Sequence, residues 1–238
     1  MNNPTSEHTV KAFDVDLTSL RGLIAELGGR AEKAIEKSMS ALASHDLALA
    51  QQVIDEDRRI DALEEQVDKL VIQTIALRAP MADDLRELVA ALKISGVVER
   101  IGDYAKNIAK RVPMIERNDE IEPASLLPAM AVATRQLVDD AFTAFARRDA
   151  DLAVSVCAQD KTVDEFYNTI FRSLITYMID NPRHIGAGAH LLFVAKNLER
   201  IGDHATNVAE MVHFAVTGQA MEERERGEDP LETEELTR

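Results

Sequence analysis

Glu99-Arg100-Ile101-Gly102-Asp103 recurs letter for letter as Glu199-Arg200-Ile201-Gly202-Asp203, one hundred positions later. Each copy runs on to an asparagine one helical turn away, Asn107 and Asn207, and then to a small apolar pair, Ile108-Ala109 and Val208-Ala209. Around the first copy the apolar residues Ile94, Val98, Ile101, Ala105, Ile108 and Val112 alternate spacings of four and three. Leu191, Ala195, Leu198, Ile201, Ala205, Val208 and Val212 repeat that stripe around the second. Such a stripe is the seam of an α-helix packed nearly antiparallel against its neighbours. An identical acidic pentapeptide at the same place on two such helices marks a duplicated unit, with the same chemistry in each half.

The duplication extends outward. Ile35 to Asp61 aligns with Val138 to Asp164 at an offset of 103, pairing Asp46 with Asp149, Val53 with Val156, Asp57 with Asp160 and Asp61 with Asp164. The change of offset before the motif places a three-residue difference in a connecting loop, where insertions are tolerated. Ile60, Leu63, Val67, Leu70, Thr74 and Leu77 form another helical stripe. Asp46 and Asp149 stand where N-caps are wanted. Pro80 breaks the first half, with Asp84 and Glu87 spaced as a capping box. Asn181-Pro182 breaks the second as an N-cap followed by proline at the first helical position. Pro113, Pro123 and Pro128 mark the connection between halves. These signals predict helices over about 12–44, 46–78, 84–112, 125–147, 150–179 and 183–216. Short connections make sequential helices antiparallel neighbours. The expected fold is therefore all-α: two pseudo-symmetric three-helix bundles, residues 12–115 and 116–216, and a disordered acidic tail over 217–238.

Composition agrees with packed helices. The chain is 46% hydrophobic but only 4% aromatic, with no tryptophan, so its core is built from Ala, Leu, Ile and Val. The net charge is −15, and from Gly218 onward eight acids stand against three arginines. That excess argues against binding nucleic acid or an anionic bilayer by general electrostatics. It should also repel free phosphate unless a cation or a local basic pocket intervenes. A single cysteine, Cys157, allows no internal disulfide and no thiolate zinc site. The N-terminal MNNPTSEHTV has no signal-peptide pattern, and no apolar run approaches the ~20 residues that span a bilayer. A cytoplasmic protein without direct membrane insertion is expected. No G-x-x-x-x-G-K-[ST], G-x-S-x-G or H-E-x-x-H occurs, so the chain reads as a non-enzyme.

The chemistry lies in acidic pairs. Glu99/Asp103, Glu199/Asp203, Asp57/Asp61 and Asp160/Asp164 are each four residues apart, on one helical face. Like charges at that spacing repel, and oxygen ligands so placed suit hard metal ions. If the second and third helices of a half lie side by side, four carboxylates meet, with Asn107 or Asn207 as a further ligand or support. The stripe through Ile101 turns Glu99 and Asp103 outward, predicting a surface site. The plainer alternative is an ordinary charged face, with Arg100 and Lys106 pairing Asp103. Thr206 replaces Lys106 in the second copy, however, while acids, glycine and asparagine persist. Gly102 and Gly202 cost a helix about 1 kcal/mol each. Close packing is the favoured reason, since Ala105, Ala109, Ala205 and Ala209 continue a small-residue edge. His204, matched by Tyr104, reads as a surface or interface residue, and Cys157 as a core residue.

A doubled E-R-I-G-D-x-x-x-N on the third helix of each of two bundles, with acidic pairs on the preceding helices, resembles the PhoU family. The likeness runs from about residue 12 to 216. It implies an accessory protein that negatively regulates phosphate uptake, all-helical, cytoplasmic and homodimeric. It also implies multinuclear iron or zinc clusters on the E/D-x-x-x-D faces, here Asp57, Asp61, Glu99, Asp103, Asp160, Asp164, Glu199 and Asp203. Aspartate at both positions of the second- and fifth-helix pairs shortens the reach of the first ligand. The implied partners are the ATPase subunit of the phosphate ABC transporter and the phosphate-sensing histidine kinase. The competing reading is a metal-dependent enzyme or metal store on a helical bundle.

Overall fold

The computed structural model describes residues 4–115 and 121–221, with side chains from residue 12 onward. Six α-helices occupy these residues: α1 Pro4–Ser44, α2 Leu47–Arg78, α3 Asp83–Ala109, α4 Leu127–Arg147, α5 Ala150–Asp180 and α6 Ile185–Thr217. Short 3₁₀ turns lie at Val112–Met114, Glu122–Leu126 and Pro182–His184, and there is no strand among the described residues. The tail expected over 217–238 starts later than read, since Thr217 ends α6 and Gly218 caps it; from residue 222 on it lies outside the described residues.

Two of the expected helix starts form as read. The Asp46 carboxylate accepts from the backbone N–H groups of Ala48 and Leu49, and Asp149 accepts from Leu152. Each satisfies donors that the first turn of a helix leaves free. Two others differ. There is no capping box at α3, whose N-cap Ala82 makes no side-chain cap bond. Glu87 points inward instead, its side chain 6% exposed, and is clasped by Arg21 of α1 and by Arg148 after α4. A long-range pair of arginines outcompetes a local bond to one backbone N–H. Asn181 likewise turns back, donating from its amide to the Tyr177 carbonyl at the end of α5. Pro182 therefore opens a 3₁₀ turn, and α6 begins only at Ile185.

Helices α1, α2 and α3 pack mutually, as do α4, α5 and α6, giving the two bundles. The bundles then join along α3–α6 and α1–α4. One apolar core runs through both, drawing on Ile24, Val67, Ile94, Met130, Ile170 and Val194 among others. A smaller cluster of Ala41, Ala50, Val53, Ala109 and Val112 closes one end of the first bundle. The Glu87–Arg21–Arg148 cluster spans the same junction, so halves that look independent in one dimension share a hydrophobic interior and an ion cluster.

Candidate functional site

The motif helices α3 and α6 meet back to back. Tyr104 and His204, which hold matching places in the repeat, stack on each other with ring centroids 5.4 Å apart and planes 17° from parallel. The pseudo-two-fold axis thus passes between them, and His204 is an interface residue. Its Nδ1 lies 3.3 Å from the Asn207 amide and its Nε2 3.4 Å from the Tyr104 hydroxyl. Burial, Arg100 and Arg200 hold the imidazole below its ordinary pKa against the pull of Asp203. The Asn207 amide is therefore turned toward the axis, where the sequence had offered it to the acids.

On the other side, each motif helix presses against the helix before it. A Cβ on Gly102 would lie 2.8 Å from Cδ1 of Ile60 and 3.5 Å from Oδ1 of Asp57. One on Gly202 would lie 2.9 Å from Oδ1 of Asp160. The glycines serve close packing, as expected, and what they admit is an aspartate. Asp57 is 6% exposed and Asp160 4%. This corrects the surface reading for Asp57 and Asp160 alone; Asp103, on the outward side of the α3 stripe, keeps 42% of its side chain exposed. Asp57 sits on the buried stripe of α2, Val53-Asp57-Ile60-Leu63-Val67-Val71-Thr74, which leaves Leu77 outside. Asp160 occupies the same place between Val156 and Val163 on α5. Glu99, Asp103, Glu199, Asp203 and Asp164 are half-buried, and Asp61 is exposed.

In the first cluster a lysine supplies the cation. The Lys106 ammonium donates to both Asp57 and Asp103. Burial works against its charge, but the two carboxylates outweigh burial and hold it well above the ordinary lysine range. The remaining acids repel one another. Desolvation and Asp57 raise Asp61, while desolvation and Asp103, then Glu64 and Asp61, raise Glu99. Glu64 was not singled out from the sequence. It extends the acidic ladder along α2, lies over Gly96, and is itself raised by desolvation, Asp68 and Asp61. Its position one turn beyond Asp61 was the available signal.

The second cluster moves its lysine to the other end. Thr206 stands in the place of Lys106 and donates to the backbone carbonyl of Asp203, bringing no charge. Tyr167 and Lys196 stand where the first half has Glu64 and Gly96. The Lys196 ammonium is 4.9 Å from the centroid of the Tyr167 ring and donates to Oε1 of Glu199 at 3.0 Å. The other carboxylate oxygen, Oε2 of Glu199, is buried without a hydrogen-bond partner. Burial pushes this carboxyl up to about 7; Lys196 opposes the rise, and Asp203 and Asp164 add to it. Cys157 lies at the edge of the core, 3.9 Å from the Thr206 carbonyl and 3.7 Å from the Met221 sulfur.

The structure thus brings Asp57 and Asp103 together around an ammonium, with Asp61 and Glu99 in their field, and sets Glu199 in the field of Asp164 and Asp203. Among the described residues no three His, Cys, Asp or Glu side chains converge as a ready ligand set. The first cluster does not fit an added metal at Asp57 and Asp103, because Lys106 occupies both. The second fits one better, because Oε2 of Glu199 is a buried ligand atom with no partner. No helix among the described residues is long and apolar enough to cross a membrane.

Known proteins share this fold and its duplication. The PhoU domain model matches residues 24–112 and 127–212, one match in each half. A phosphate-specific transport system accessory protein PhoU homolog from Zymomonas mobilis is 50% identical over 227 residues, 95% of this chain and 96% of the relative. The homolog from Caulobacter vibrioides is 46% identical, covering 91% of this chain and 94% of the relative. The crystal structure of PhoU from Pseudomonas aeruginosa superposes with a TM-score of 0.84 at 38% identity, over 87% of this chain and all of that one (100%). The phosphate transport system regulatory protein PhoU from Streptococcus pneumoniae gives a TM-score of 0.83 at 27% identity, over 88% of this chain and 99% of that one.

Proposed function

The chain belongs to the PhoU family, and from that premise we propose that it is a regulatory adaptor that restrains phosphate uptake and the phosphate-starvation response. In this reading it works in the cytoplasm as a homodimer and has no turnover of its own. It contacts the ATPase subunit of the phosphate ABC transporter and the phosphate-sensing histidine kinase. The observation that carries the reading is the family match through both halves, each with its motif intact. The acids that remain partly exposed beside each motif, Asp61, Glu99 and Asp103 in the first half and Asp164, Glu199 and Asp203 in the second, offer docking points for basic partner segments. The net charge of −15 accelerates encounter with such partners. The test is deletion of the gene in phosphate-replete cells, with phosphate uptake measured alongside affinity capture of the tagged protein. Uptake should rise on deletion, and the ATPase subunit and the kinase should be recovered. Unchanged uptake with neither partner recovered refutes the reading.

A second reading concerns metal, and Oε2 of Glu199 favours it. Asp160, Asp164, Glu199 and Asp203 would hold an iron or zinc ion, which would neutralise their mutual repulsion and offer a coordination point for a partner's carboxylate or phosphoryl group. Elemental analysis of the purified protein and of Glu199→Gln tests this. Equal metal content in the two removes it.

A further inference from the structure

A hollow of about 370 Å³ opens between α1, α2 and the motif turn of α3. Four cations line it: Arg30, Lys33 and Lys37 from α1, and Arg59 from α2. Only two carboxylates share the lining, Glu56 and Asp57. Asp57 is already held by Lys106. Arg30 is paired with Glu26 at 2.6 Å and Lys37 with Glu56 at 2.7 Å. Lys33 and Arg59 make no hydrogen bond or ion pair among the described residues. In a chain of net charge −15 this is a local inversion of sign, with Lys33 and Arg59 facing one cavity and held by no hydrogen bond or ion pair among the described residues, although Lys33 also lies in the field of Glu32.

The repeat supplies a control. The matching positions in the second half are Ala133, Gln136, Asp140 and Thr162, so the same bundle folds there without any of the four charges. The cations are therefore not a requirement of the helix packing. Arg30, Lys33 and Lys37 also lie on one face of α1, where like charges three and four residues apart repel. An anion between them relieves that repulsion.

We propose that this hollow binds a phosphate-class oxyanion, either inorganic phosphate or the phosphoryl group of a small metabolite, held by Arg30, Lys33, Lys37 and Arg59. A phosphate group at neutral pH carries between one and two negative charges, matching the two cations, Lys33 and Arg59, that no ion pair holds among the described residues. Its tetrahedral oxygens accept the paired N–H donors of an arginine and the point charge of a lysine together. The volume lies near the lower end of ligand pockets, roughly 300–1,000 Å³, enough for a phosphate with a modest organic body. Glu56 is the internal competitor: it occupies Lys37 when the hollow is empty and must yield to the ligand. The inference goes beyond the adaptor reading and does not depend on it.

Isothermal titration of the full chain with inorganic phosphate, and separately with adenosine monophosphate, tests the proposal at constant ionic strength set with potassium chloride. Saturable one-site binding is expected. Lys33→Ala and Arg59→Ala, both at exposed positions, should each weaken it about tenfold, the loss of one charge-assisted contact. Glu56→Gln should tighten it, and Gln136→Ala in the second half should leave it unchanged. Phosphate binding as tightly as the nucleotide assigns the site to the free ion, and a nucleotide preference assigns it to a phosphoryl metabolite. Absence of saturable heat at millimolar ligand overturns the proposal. So does binding that Lys33→Ala and Arg59→Ala leave intact, or a response that chloride reproduces.

Discussion

Glu199→Gln should stabilise this protein at neutral pH, and the gain should grow as pH rises. The Glu199 side chain is 13% exposed, and burial lifts its carboxyl from an ordinary 4.5 to about 7. Because the folded-state pKa lies above the unfolded one, the folded state binds more protons between those two values. The contribution of this one group is then full below about pH 4.5 and is lost as pH rises through about 7. At 1.36 kcal/mol per pH unit, the rise from 4.5 to about 7 corresponds to about 3 kcal/mol. Glutamine does not ionise, so the variant escapes this loss while its carbonyl still accepts from Lys196. Relaxation around the site reduces the measured gain to about 1–3 kcal/mol. The assay is urea unfolding of both proteins at several pH values from 5 to 8, with a chelator present and ionic strength constant. The curves should nearly coincide at the acid end and separate in favour of the variant toward pH 8. A separation that does not grow with pH, or a variant less stable at pH 8, refutes the account of Glu199 as a carboxyl strained by burial. Repeating the series with zinc or manganese in place of the chelator should stabilise the wild type alone if the second cluster holds a metal.

Lys106→Met removes the ammonium from buried Asp57 and should cost about 3–5 kcal/mol in urea unfolding, because an uncompensated charge is left inside. Adding Asp57→Asn should recover most of that loss, and a single-variant cost below about 1 kcal/mol would mean the pair behaves as a solvated surface contact. Gly22 sits in the middle of α1, and a Cβ at that position would meet nothing within 4 Å, so Gly22→Ala should raise stability by about 0.5–1 kcal/mol. Gly202→Ala places a methyl 2.9 Å from Oδ1 of Asp160 and should cost about 1–3 kcal/mol. Thermal melts of the two alanine variants, run side by side, check the opposite signs.

Much of the architecture was legible in one dimension. Helix positions, the duplication, the caps at Asp46 and Asp149 and the packing role of Gly102 and Gly202 all follow from local spacing and residue type. The acidic site was legible as a set of residues but not as an environment. Reading the stripe of α2 from Ile60 onward hid that Asp57 continues it toward Val53, so a buried acid passed for a surface one. Glu87 passed for a capping residue for a related reason. Its spacing from Asp84 suits a local bond, but its partners Arg21 and Arg148 are distant along the chain.

Periodicity and capping are properties of neighbouring residues, and they alone determined that this chain forms six helices in two matching halves with one acidic motif in each. Which charges meet was decided by how the helices pack. Lys106 reaches Asp57 and Lys196 approaches Tyr167 only because α2 lies against α3 and α5 against α6. Hence two identical pentapeptides ended with different cations. The basic hollow beside the first motif has the same origin: its four charges come from two helices and become one site only when those helices pack together.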